Sequence, residues 1–542
     1  MNMNEKALGP TLRNALLGFA LGLLGSASAC SGSDAGAVMG MGVQTPEDPG
    51  GSPTVPPAGS TGCAAPMIPD APFSASKQTV GSGTAATCTE AALVSAVSAG
   101  GTVAFSCGTA PVVIALSAPL LPTKDLFLDG AELVTLSSSG ASRIIDMDKG
   151  GAKNLRLRDL RLSSGGSATN GGAVLSSYRS NVYVERVTFD GNVAGAGGED
   201  GGGALYLKSG SHGVVIGSTF TRNKGGAGGA IHSLLSDLRI VDSIFQDNSS
   251  TSGASSGTQN GQPGGGYGGA VYIDGAAESG MSGEVRICGT RFVSNTAAGQ
   301  GGAVFSFVYG QQVTVEASLF QGYSVSKNAR NDALGGALRH GNGPLKLLRS
   351  TFLSNTSADQ GGALWVGENA QVTTENLTLF ANRAATLGGA LLLASGNVSL
   401  RSATIVKNEA GSEGGGIFGD SRVTLAASLI ANNTAKNQFG IKNNCGKGGN
   451  LGNDPAPILQ GSGNLEWPLI TSRYNNPYCT AQELNQDPLL AAMPADNGGP
   501  VPTLALQPGS PAVDAATGCA PTDARGKSRQ GACDFGAFEL TP

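Results

Sequence analysis

The chain has 542 residues, enough for one large repetitive body with modules at its ends. Glycine supplies 85 positions, about twice the usual ~7% share, and charged residues make up only 13% against an average of ~25%. With 40% apolar residues this composition fits turn-rich β structure better than disorder, and a net charge of −5 argues against nucleic acid as a partner.

Residues 1–30 read as a targeting segment, with Lys6 and Arg13 giving a positive start and Ala15 to Ala29 a short apolar core. The end of that segment, Ala27-Ser28-Ala29-Cys30, resembles a bacterial lipobox. The resemblance implies Cys30 as the lipidated first residue and, because Ser31 follows it, an outer-membrane destination. Ala27 stands where a lipobox usually has Leu, so ordinary signal-peptidase cleavage at the same bond, giving a secreted protein, is the alternative. No second apolar stretch is long enough to span a bilayer. Residues 31–75, rich in Gly, Ser, Pro and Ala, read as a flexible tether.

Residues 76–150 follow another pattern. Cys88 to Val97 has helical spacing, and strand-like runs follow at Thr102, Val112 and Leu126. A helix ahead of Leu126-Phe127-Leu128-Asp129-Gly130 resembles the N-terminal cap of pectin-lyase-like proteins. An open solenoid end exposes unpaired strand edges and apolar core, so a cover is expected there.

Residues 151–434 repeat one motif with a period of roughly 25 residues, the mark of a solenoid. One column reads Leu162, Phe189, Phe220, Phe245, Phe292, Phe320, Phe352, Leu379, Ile405 and Ile430. Apolar residues five and seven positions earlier complete an alternating, half-buried strand. Three positions after the column stand Asn192, Asn223, Asn248, Asn295, Asn355, Asn382, Asn408 and Asn433, with only Gly165 and Tyr323 breaking the run. Stacked coil on coil, these amides predict a hydrogen-bonded ladder at a corner. The Gly-Gly-Ala words that follow predict a tight bend. With no helical period, the expected fold is an all-β, right-handed parallel β-helix with about three short strands per coil, a helical cap at its N-terminal end and a cap module at its C-terminal end. The paired words resemble the repeats of chlamydial polymorphic outer-membrane proteins and of other pectin-lyase-like surface proteins over about 280 residues, a likeness that speaks for fold more than for function. Two insertions, 249–266 and 322–334, are either part of a binding face or tolerated surface loops.

Residues 435–542 carry Asn444-Cys445, Asp487-Pro488, Asp496-Asn497-Gly498-Gly499, Asp514, Asp523, Arg525-Gly526 and Cys533-Asp534. That string resembles the bacterial choice-of-anchor Q domain, which implies a cell-surface protein; with no sorting signal following, the anchor falls to Cys30. Asp514, Asp523 and Asp534 sit among turn residues and are expected in turns and caps rather than in a calcium or catalytic cluster. Of nine cysteines, eight remain beside Cys30, and local pairing suggests Cys88–Cys107, Cys445–Cys479 and Cys519–Cys533. Cys63 and Cys288 are left as free thiols or as a pair.

One further column directly follows the aliphatic residue after each Gly-Gly-Ala word: Tyr206, His232, Tyr272, Phe305, Arg339, Trp365, Leu392 and Phe418. Strand alternation turns these side chains outward, as a stripe that either binds a sugar ring or a partner or forms a seam under the adjoining turns. Evidence for catalysis is thin. Asp332, Arg339 and His340 fall near one another by repeat register, and Glu199 and Asp200 share a Gly-rich loop, but no acidic cluster recurs on neighbouring strands. His212, His232 and His340 are scattered singly and are expected at the surface. The expectation is a surface-displayed lipoprotein that binds, adheres or supports the envelope, attached by its lipid and contacting polysaccharide or a cell-surface partner, with no metal or cofactor. The alternative is a polysaccharide lyase or glycoside hydrolase.

Overall fold

The computed structural model describes residues 61–70, 73, 76–197, 200–251, 265–439, 441–448, 457–469, 478–529 and 531–540. Cys30, Glu199 and most of the 249–266 insertion lie outside the described residues. The protein is a parallel β-solenoid of about 13 turns with only 4% helix. Helix α1 (Glu90–Ala99) has Thr89 at its N-cap, accepting from the Ala92 amide, and Gly100 with φ 73° at its C-cap. Its buried residues Leu93, Ala96 and Val97 join the core, and the helix lies beside strands Lys77–Val80 and Gly101–Phe105.

One coil shows the plan. Val271–Asp274, Glu284–Cys288, Arg291–Val293 and Thr296–Ala297 each pair in parallel with the equivalent strand of the next coil. The coil therefore has four short strands where three were expected, because the largest sheet is creased. The residue three before the Phe column is left-handed in every repeat, including Arg186 (φ 49°), Asp242 (φ 47°), Gly289 (φ 64°) and Arg349 (φ 46°). From Arg186 on, that single residue splits one long strand into two; at Asp159 the strand Asn154–Ser163 runs on through it.

The core is built as the columns predict. The rings of Phe189, Phe220, Phe245, Phe292, Phe320 and Phe352 are fully buried and stacked, their centroids 4.5 to 5.0 Å apart. That spacing is the distance between paired strands, so burial and backbone pairing impose the same period. Each ring contributes about 2–3 kcal/mol by leaving water. The asparagine ladder is also present. In each step, as from Asn223 to Asn248, the next Oδ1 accepts both the backbone N–H (3.0 Å) and Nδ2 (2.9 Å). The same Nδ2 donates to the carbonyl of the preceding Phe column, here Phe189 at 3.1 Å. Tyr323 bridges its gap by accepting from Asn295 Nδ2 through its hydroxyl and donating its amide to Asn355 Oδ1. The Gly-Gly bends need both glycines. At Gly268 φ is 60°, and a Cβ on Gly269 would stand 2.1 Å from the Gly302 carbonyl.

Two segments run along the flank of the solenoid instead of within it. The first is residues 61–70 with Phe73, which the sequence assigns to a flexible tether. Cys63 is bonded to Cys288, Thr61 donates to Asp242 (2.6 Å), Asp70 pairs with Arg156 (2.6 Å), and Phe73 packs edge-on against Phe127 and Tyr183. Low hydrophobicity around these few anchors hides them in the sequence. The second is the C-terminal module, expected as an end cap. Residues around Leu465, Cys479 and Leu484 do continue the coil stack, and Cys479 is bonded to Cys445. The chain then turns back. Leu504, Leu506, Phe535 and Phe538 pack on the outward row Leu353, Phe380, Val406 and Ala431. Thr351, Asn376 and Thr404 bond to Pro502, Thr522 and Ala537 across the same flank. Within this module Asp523 and Asp534 accept backbone amides, as turn roles require. Cys88–Cys107 and Cys519–Cys533 are further disulfides.

Candidate functional site

The outward stripe follows the register read from the sequence, but most of it is closed to solvent. Tyr206, His232, Phe305, Arg339, Trp365 and Leu392 are buried, while Tyr272 and Phe418 are half-buried. The closure comes from stacking along the axis and from the adjoining turns. His232 lies between the Tyr206 and Tyr272 rings, at centroid distances of 4.4 and 4.6 Å, and Tyr272 stacks on Phe305 at 5.0 Å. Tyr267, from the preceding turn, covers Phe305 at 5.1 Å. The Arg339 guanidinium is held between the Phe305 and Trp365 rings, 4.6 and 4.9 Å from their centroids. It also forms an ion pair with Glu368. Gly341 and Gly367 make room for this: a Cβ at Gly341 would meet Arg339 Nη1 and Glu368 Oε2, and one at Gly367 would meet the Trp365 ring. Most of the stripe is thus a packed seam.

The histidine expectation is corrected in two of three cases. Buried His232 is pushed down to about 3 and buried His340 to about 4, both by desolvation, so both are neutral. His340 faces Ser306 Oγ and the Gly343 carbonyl. His212 is part-buried and bonds Asp237 at 2.7 Å. The residues named for catalysis are not assembled. Arg339 and His340 are consecutive on one strand and so point to opposite faces. Asp332 instead accepts from Gln300 and Asn328. Among the described residues, no group of three His, Cys, Asp or Glu side chains could hold a metal ion.

No protein-family profile matches the chain, and no curated protein matches it.

Exposed aromatic surface lies one corner away from the seam, where the strands of the same sheet end. Tyr309 is 56% exposed and Tyr178 is 55% exposed. The Tyr309 ring is fixed in place: its hydroxyl donates to Asp274 Oδ1 (2.8 Å), its amide donates to Gln311 Oε1 (2.9 Å), and Phe307 meets it edge-on at 5.3 Å. Burial and the Asp274 carboxylate both push the phenol well above its ordinary pKa. Tyr178 carries Lys208 Nζ 4.6 Å from its ring centroid, and Lys208 is paired with Asp148. Next to Tyr178, Arg179 is paired with Glu278 (2.7 Å). Four rung steps separate the two tyrosines, about 19 Å along the axis at the usual strand spacing. Sequence reading missed both because turn lengths vary between copies, which removes them from the aligned columns. Their neighbours Arg179 and Gly310, both with positive φ, are the signal that marks them as turn residues.

Proposed function

We propose that the protein is an exported β-solenoid displayed on the bacterial envelope, which binds an extended polysaccharide along the corner that carries Tyr178 and Tyr309. The observation that carries this reading is Tyr309: a large ring, more than half open to solvent, held rigid by its bond to Asp274. A ring fixed this way stacks on a sugar face with little loss of rotamer freedom, and the charged groups beside both tyrosines offer hydrogen bonds to hydroxyls. Four disulfides support an oxidising compartment. The reading includes lipid attachment at Cys30 and kinship with the pectin-lyase-like and choice-of-anchor Q surface proteins, carried by the words quoted above.

The test is a polysaccharide array with the purified chain. Tyr309→Ala and Tyr178→Ala are each expected to weaken binding by about fivefold or more, taking for a sugar ring the ~1–3 kcal/mol that a nucleobase gains by stacking on an aromatic side chain, with thermal stability unchanged. An array on which the parent chain retains no polysaccharide, or equal retention of parent and both variants, would sink the reading.

A further inference from the structure

We propose that residues 61–70, with Phe73, form a load-bearing strap, which carries a pull on the N-terminal segment past the first coils and into an interior rung at Cys288. The inference rests on the reading that the protein is held from its N-terminal side, and not on what it binds.

The strap runs against the direction in which the coils are laid down. From Cys63 onward its partners move toward the start of the solenoid. Thr61 and Cys63 meet Asp242 and Cys288, and Ile68 packs against the cluster of Phe73, Phe127, Tyr183 and Val214. Asp70 meets Arg156, and Phe73 meets Phe127 and accepts from Thr102 Oγ1 at its carbonyl. Only then does the chain enter its first strand, Lys77–Val80. The strap therefore crosses the rungs of Phe127, Arg156, Tyr183, Val214, Arg239 and Arg286, about 24 Å along the axis.

This changes how the solenoid meets a force. A rung of a parallel solenoid pairs only with its two neighbours, so an end rung pulled alone peels, and the next follows. Without the strap, tension would arrive at Lys77–Val80, which pairs on one side with Gly101–Phe105. With it, tension crosses the Cys63–Cys288 bond into Glu284–Cys288, a strand paired on one side with Asp237–Val241 and on the other with Gln312–Glu316. An interior strand cannot peel. It must shear from both neighbours together, and the backbone of the coils between the two cysteines lies outside the line of the pull.

Single-molecule stretching of the full chain between terminal handles tests this. In the parent, the 225 residues enclosed by the cross-link stay folded or slack, so complete unfolding falls short by about 75 nm of contour length at the usual reach per residue. In Cys63→Ser, that length less the 19 residues still closed by Cys88–Cys107, about 68 nm, is expected to appear first, in rung-sized steps, at about half the force that opens the remaining coils, since end rungs of a nearest-neighbour array open most easily. Adding a dithiol to the folded parent in the trap should give the same early release, lengthened by the short loops that Cys88–Cys107, Cys445–Cys479 and Cys519–Cys533 otherwise close, which separates a mechanical effect from a folding defect. Release of the enclosed length at a force equal to or above that of the later coils, in the variant and in the reduced parent, would overturn the proposal.

Discussion

Asn382→Ala is expected to lower the unfolding free energy by about 3–5 kcal/mol, among the largest effects of any single substitution in the chain. Asn382 is fully buried. Its Oδ1 accepts from the Asn355 amide at 3.0 Å and from Asn355 Nδ2 at 2.8 Å. Its Nδ2 donates to the Phe352 carbonyl at 3.0 Å and to Asn408 Oδ1 at 2.9 Å. Alanine removes all four bonds and leaves donors of Asn355 facing no acceptor, in a place water does not reach. Each such group costs about 1–3 kcal/mol, less than additively. Because each coil touches only its neighbours, the damage should be local. Hydrogen exchange should accelerate between about residues 350 and 410 and stay unchanged between 181 and 250. A loss under ~1 kcal/mol, within the range of surface substitutions, would mean that stacking alone holds this corner.

Glu368→Leu is expected to cost about 3–5 kcal/mol, because it strands a buried guanidinium. Arg339 has only 7% of its side chain exposed, and burial holds its pKa below the ordinary arginine value while raising that of Glu368. Both shifts have desolvation as their largest cause, so the pair carries a penalty that its mutual attraction offsets. Among the described residues, Arg339 Nε and Nη1 and Glu368 Oε2 make no hydrogen bond. An ion pair satisfied on one edge only is a poor source of stability. The double variant Arg339→Met with Glu368→Leu should therefore recover the loss and match or exceed the parent in a denaturant melt. Failure of the double variant to recover would show that the cation held between Phe305 and Trp365 is itself the stabilising element.

The repeat was legible because a solenoid writes each packing constraint many times over. Phe245, Asn248 and Gly268-Gly269 each recur at a fixed offset, and each has one local reason to exist. The crease at Asp242 was not legible, since its left-handed position is occupied by Arg, Gly, Asp, Ala, Asn or Ser in different copies. Exposure of the stripe could not be read either. Alternation gives the direction of Trp365 from its strand, but not that its ring folds down over Gly367 beside Arg339. The flanking segments were missed for a third reason. Cys63, Asp70 and Phe73 are single residues that appear once, and their partners lie as far as 225 positions away. Repetition has nothing to say about them.

The returning C-terminal segment sets an order of events in the life of the chain. Its hydrogen bonds reach back as far as 153 residues, from Arg529 to Asn376, and its docking surface is complete only when the coils from Thr351 to Ala431 are closed. A chain synthesised from its N-terminus makes those coils before the last segment arrives. During that interval Leu353, Phe380, Val406 and Ala431 form an uncovered apolar row, and the stretch from Leu504 to Phe538 is the complementary piece. The stretch from Leu504 to Phe538 thus closes, once it docks, an apolar row that would otherwise face water.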